Sequence, residues 1–211
     1  MTSTPDLIRS LARDLAPVRR LRPPLLRASL WLILGLVVVA LLAITQGVRS
    51  DLVTRLQNPA FTGTILGTIL TAIASAVAAF MLSLPDRSRW WAILPLPPLA
   101  LWFSHVGYQC LTSWIDLDPA SMSIGETARC FATLVLTSLP LSLALLIMLR
   151  HAATLRPILV AIVGSLSVAA MTVTALFLCH ILDASVLTIM WNLGTAIMIV
   201  GLLLAAVKIR A

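Results

Sequence analysis

Residues 61–84, FTGTILGTILTAIASAVAAFMLSL, run for 24 positions without a charged side chain. A helix rises about 1.5 Å per residue, so about 20 apolar residues cross the roughly 30 Å of hydrocarbon in a bilayer. Hydrocarbon offers the backbone no hydrogen-bond partner but itself, which makes such a segment helical. Gly63, Gly67, Thr71, Ser75 and Ala79 recur at every fourth position. Small side chains on one ridge let a second helix approach closely. A ridge of this kind serves either packing inside one bundle or homo-oligomer formation.

Working outward, five further stretches have the same character: 27–45, 90–111, 130–149, 157–179 and 184–207. The chain has 211 residues, 60% of them hydrophobic and 11% charged, with a mean hydropathy of +1.02. Soluble domains are far more polar than this. We therefore expect an all-α integral membrane protein with six transmembrane helices in one bundle, residues 27–208, preceded by an arm at residues 1–26. The fifth span repeats the small-residue spacing more weakly at Ala161, Ser165 and Ala169. The third opens on Trp90 and Trp91, which suit a membrane interface, and Pro95, Pro97 and Pro98 should kink it there. No internal repeat or low-complexity segment is evident.

Orientation follows from the placement of Lys and Arg, which concentrate on the cytoplasmic side of membrane proteins. With the N-terminus inside, the cytoplasmic segments hold Arg9, Arg13, Arg19, Arg20, Arg22, Arg27, Arg87, Arg89, Arg150, Arg156, Lys208 and Arg210. The outer segments hold Arg49, Arg55 and Arg129, together with Asp51, Asp116, Asp118, Glu126 and Asp183. Both termini are thus expected in the cytoplasm. Arginines ahead of an apolar run resemble a secretory leader, but no small-residue cleavage site follows Ala43, and the first span is read as a retained anchor.

With Arg27 counted in the arm's flank, no Asp, Glu, Lys or Arg falls inside the six spans. Intramembrane charges commonly mark ion pathways, so this counts against the alternative reading, a small six-helix transporter or channel. His105 is the one histidine within a span, and it suits packing better than proton relay. No nucleophile elbow, metalloprotease helix or phosphate loop is present, and we do not expect an enzyme. The net charge of +7 comes without interleaved aromatics or a DNA-binding motif, so direct contact with nucleic acid is not expected either.

The arm has its own pattern. Thr4, Pro5 and Asp6 suit a helix start, and Leu7, Leu11 and Leu15 then share one face, with Ile8 at its margin and Arg9 and Arg13 opposite. Pro17 ends this short amphipathic helix, and Pro23 and Pro24 make a stiff link into the first span. About 11 residues are marginal as a helix in water. Burial of the four apolar side chains contributes about 1.5–3 kcal/mol each, against an ordering cost of about 2–5 kcal/mol. The face therefore suits a groove on a partner protein, or equally the surface of anionic lipid.

Three cysteines, at 110, 130 and 179, form no metal-binding or redox motif by spacing. The orientation above puts all three near the outer face. Soft thiolates bind heavy-metal ions, and His180 beside Cys179 could add a nitrogen ligand, so the three cysteines and His180 offer ligands for a transient metal ion. A disulfide and plain packing are the other readings. No resident cofactor is expected.

The run from Leu7-Ile8 through Asp14-Leu15-Ala16-Pro17-Val18-Arg19-Arg20-Leu21-Arg22-Pro23-Pro24, the six spans, and Cys130, Cys179-His180, Asp183-Ala184 and Trp191 together resemble the NrsF-type anti-sigma factors. These are small bacterial inner-membrane proteins paired with an extracytoplasmic-function sigma factor of the SigF type. The resemblance implies that the arm, with Leu7, Ile8, Leu11, Leu15, Val18, Arg19, Arg20, Leu21 and Arg22 as contact residues, holds the sigma factor inactive. It also implies that heavy-metal or oxidative stress, sensed through Cys130 and Cys179, releases it. Cys110 has no clear counterpart in the family pattern.

Overall fold

The computed structural model describes Thr4 and residues 23–113, 124–150 and 156–179, with the backbone alone at 108–113, 124–131 and 150. The rest of the arm up to Arg22, the loops 114–123 and 151–155, and the expected sixth span 184–207 lie outside the described residues. Five long helices follow one another: α1 (Pro24–Gln46), α2 (Pro59–Leu82), α3 (Leu96–Ser113), α4 (Ile124–Arg150) and α5 (Pro157–Cys179). A five-residue helix, Leu52–Leu56, precedes α2, and a 3-10 helix, Arg89–Ile93, precedes α3. The described residues contain no strand. Among the described residues, four helices are long and apolar enough to cross a membrane: α1, α2, the Ala132–Leu149 stretch of α4, and α5.

The helix starts follow from local chemistry. α1, α2 and α5 each begin on a proline, whose missing N–H would have had no intrahelical partner in the first turn. Ahead of α2, the Asn58 side chain accepts a hydrogen bond from the Ala60 N–H at 3.0 Å, satisfying one free donor of that turn.

The third expected span, 90–111, is where the structure differs most from the sequence reading. Its first residues form the separate 3-10 helix, and regular helix resumes only at Leu96. Pro97 and Pro98 are tolerated in a first turn but not deeper, so the helix has to begin beside them. The resulting α3 has 18 residues and is not among the four strongly apolar helices. Helix also replaces part of the expected outer loop 112–129, since α3 runs to Ser113 and α4 starts at Ile124.

Packing pairs are antiparallel. Gly63 and Gly67 of α2 face His105 and Trp102 of α3, while Thr68 and Ala72 of α2 face Thr174 and Ser167 of α5. Ala28 and Trp31 of α1 cluster with Ala76 and Phe80 of α2. In the α2–α3 and α2–α5 pairs one residue number rises as the other falls.

The centre of the bundle is the α2–α5 contact. Phe61 meets Phe177 edge to face at 5.8 Å, the Ser167 hydroxyl donates to the Ala72 carbonyl at 2.9 Å, and Thr174 donates to Thr68 at 3.1 Å. Most of the buried hydroxyls also bond carbonyls of their own helix, Thr71 to Gly67 and Thr172 to Val168 among them, so few are left unsatisfied in the apolar interior.

The small-residue ridge of α2 is used inside the bundle. A Cβ on Gly67 would stand 2.9 Å from the Trp102 Cα, so α3 can lie this close only against glycine. The weaker stripe expected on the fifth span is not the contact face. Ala161, Ser165 and Ala169 are half-exposed, while Val160, Gly164, Ser167 and Thr174 are buried. A Cβ on Gly164 would lie 2.7 Å from the Leu145 side chain of α4, which makes that glycine the point of closest approach.

Candidate functional site

The two ends of the bundle differ in their chemistry. At one end, α1 stops at Gln46 and the chain turns through Gly47, whose φ of 83° is the only positive value among the described residues. A side chain would strain that turn. The turn brings the Arg49 N–H to the Leu178 carbonyl, 3.1 Å away and one residue before Cys179. The Arg49 side chain is fully buried and grips Asp51 through a fork, Nε to Oδ1 at 2.7 Å and Nη2 to Oδ2 at 2.8 Å. Its guanidinium also lies 5.6 Å from the Phe61 ring centre. Arg55 adds a longer contact to Asp51 at 3.4 Å. The hydrogen bonds from Arg49, with its positive charge and that of Arg55, hold the Asp51 carboxyl down at about 2.

α4 starts at this same end. The Thr133 hydroxyl donates to Gln46 Oε1 at 2.7 Å, and Cys130 lies one turn before Thr133 on the helix. Cys130 and Cys179 therefore belong to the same end of the bundle, on neighbouring helices. Cys179 is a free, half-buried thiol. The side chains of Cys110 and Cys130 lie outside the described residues, as does His180. Among the described residues no three of His, Cys, Asp or Glu gather into a metal site. His105 packs rather than projecting into a channel: Nδ1 lies 2.9 Å from the Leu101 carbonyl, and Nε2 sits where a Cβ on Gly63 would fall.

The other end gathers cations. Arg87, Arg89 and Arg156 are exposed, and a pocket of about 480 Å³ opens between Arg89 and the start of α5, lined by Arg156, Pro157, Ile158 and Leu159. Arg27 behaves differently. The sequence reading counted it among the cytoplasmic charges at the edge of the first span, yet it lies in the first turns of α1 and is 6% exposed. Its Nη2 donates to the Met148 carbonyl of α4, and its guanidinium stands 5.2 Å from the centre of the Phe80 ring of α2. An arginine does enter a span. Its signal in the sequence is the Pro23-Pro24 pair, which fixes the helix start three residues before it.

Between the ends, the Trp31 indole N–H donates to the Leu141 carbonyl at 3.1 Å. α1 and α4 are thus joined by three hydrogen bonds along their length, at Gln46, Trp31 and Arg27. Spacing alone could not have paired these residues, since each bond spans 87 or more positions. The arm residues expected to bind a partner, Leu7, Ile8, Leu11, Leu15, Val18, Arg19, Arg20, Leu21 and Arg22, lie outside the described residues.

An all-helical membrane protein, closed by buried arginines at both ends of its bundle, is the class these features define. Within that class, the chain belongs to the NrsF family, negative regulators of sigma F, whose family model matches residues 11–210. Membership carries negative regulation of a sigma factor, the partner the family description names. No curated protein and no solved structure matches the chain.

Proposed function

We propose that the chain is a six-span anti-sigma factor of the bacterial inner membrane, with both termini in the cytoplasm. Its arm, residues 1–26, sequesters an extracytoplasmic-function sigma factor, and stress acting on Cys130 and Cys179 at the outer end releases it. The observation that carries this reading is the family match, which extends back to residue 11 and so includes most of the arm. The skew of Lys and Arg toward the arm's side supports the orientation. The arm's leucine face supports a helix-in-groove contact with the sigma factor, and lipid holds the bundle.

On this reading the arm binds and the bundle positions it. Heavy-metal ions or oxidants act as signals and not as resident cofactors. Soft thiolates at Cys130 and Cys179, with His180 adjacent, suit such ions, and the same two thiols suit oxidation. No catalytic step is required of the chain.

The test is a transcriptional reporter dependent on the cognate sigma factor, read in cells carrying the full chain. Leu15→Asp puts a charge on the face to be buried. It should raise reporter output at least tenfold without lowering the amount of protein in the membrane, and sigma factor should no longer co-sediment with membranes. Unchanged repression by both Leu11→Asp and Leu15→Asp would assign the arm to lipid instead.

A further inference from the structure

Arg27 occupies a position that its own helix disfavours. The first turn of a helix carries the positive end of the macrodipole, and α1 has no acidic residue there to offset a cation. The side chain is also almost wholly removed from solvent, which is costly for a guanidinium unless other elements receive it.

Two other helices do receive it. Met148 is among the last four residues of α4, whose carbonyls have no N–H of their own helix to accept, and Arg27 Nη2 donates to that carbonyl. The negative end of the α4 dipole and the face of Phe80 complete the setting. Nη1 is buried with no hydrogen-bond partner among the described residues, which is costly for a charged group. A local preference broken for a tertiary contact is a mark of a functional position.

The site also stands at a junction. Pro23 immediately precedes α1 and Pro24 opens it, with Pro23 extended at φ −51° and ψ 141°, so the backbone has little freedom at the start of the helix. Whatever fixes Arg27 fixes the first turns of α1, where the arm joins the bundle. What fixes Arg27 is the end of α4, the helix that carries Cys130 near its opposite end and is bound to α1 again at Trp31 and Gln46.

We propose that Arg27 is a positioning residue for partner binding: by closing the C-terminus of α4 beneath Phe80, it aims the arm, and displacement of α4 redirects it. This rests on the arm being the partner-binding segment and adds how the bundle controls it. Arg27 does not touch the partner; it acts through the geometry of the arm's exit.

The experiment uses the full chain with the sigma-dependent reporter, membrane abundance measured in parallel, and Leu15→Asp as the arm control. Arg27→Met keeps an apolar stem of similar length and removes the donor and the charge. Reporter output should rise about tenfold at unchanged abundance, the loss of one charge-assisted hydrogen bond. Arg27→Lys retains a donor that can reach the Met148 carbonyl and should restore most of the repression, whereas a merely packed side chain would be served equally by Met. Full repression by Arg27→Met, or equal failure of Met and Lys, overturns the proposal. If Arg27→Met does not accumulate, Phe80→Leu decides: it should raise output several-fold, and unchanged repression overturns the proposal. Derepression by Leu15→Asp without an effect at Arg27 leaves the arm reading standing and removes this one; no effect from either removes both.

Discussion

Arg49 is buried, and Asp51 two residues on answers its charge from a more exposed position. The Asp51 carboxyl is held at about 2, below the usual carboxylate range, by the hydrogen bonds from Arg49. A depressed carboxyl contributes stability in full above its unfolded value and loses it as pH falls toward the folded value. Thermal unfolding in detergent should therefore be flat in this respect from neutral pH to about 4, then show a falling midpoint toward about 2. Asp51→Asn should lower the midpoint at pH 7 and remove that part of the acid slope. The pairing was not legible in the sequence, where Arg49 and Asp51 read as two ordinary outer-loop charges. The further partners of Arg49, Phe61 and the Leu178 carbonyl, come from elements that only the fold brings alongside.

At the scale of elements, hydropathy located the spans because a bilayer imposes length and helicity on any apolar run. Residues 157–179 form α5 with the bounds read from sequence, and α1 and α2 shift by no more than a turn. Prolines decided the exception at α3, since the excess of apolar residues there hid a break in the backbone. Small-residue periodicity found the α2 ridge and misplaced the α5 face. On α5 the closest approach is set by Gly164, and the regular Ala-Ser-Ala stripe beside it is not the buried surface. A stripe of four-residue period shows that approach is permitted on one face, while the partner's shape selects which face is used. Gly67→Leu should cost about 1–3 kcal/mol in an unfolding assay, because its Cβ already meets the Trp102 backbone. Gly107→Ala adds a methyl where nothing lies within 4 Å and should stay within about 0.5 kcal/mol of neutral.

For the whole molecule, the input and output proposed for it lie at opposite ends of the bundle, and the helices bearing Cys130 and Cys179 run between them. If the thiols are the input, Cys130→Ser with Cys179→Ser should abolish at least nine-tenths of the reporter response to cadmium or oxidant while leaving basal repression intact. An undiminished response measured in the same cells would remove the cysteines from the mechanism. Placement of Cys130 and Cys179 at one end was legible from the charge count, because alternating spans return the chain to the same face. Arg27 was not: charge counting treats an arginine at a span boundary as solvated and has no term for a carbonyl 121 residues away.

That separation has a consequence in time. At about 5–20 residues per second, synthesis of the chain leaves roughly 6–24 s between the emergence of Arg27 and that of its acceptor on α4. Throughout that interval the first span lacks the carbonyl that accepts from its arginine, whose long side chain can reach the headgroups instead. On the role proposed for Arg27, the first span is therefore inserted before the contact that would aim the arm can form.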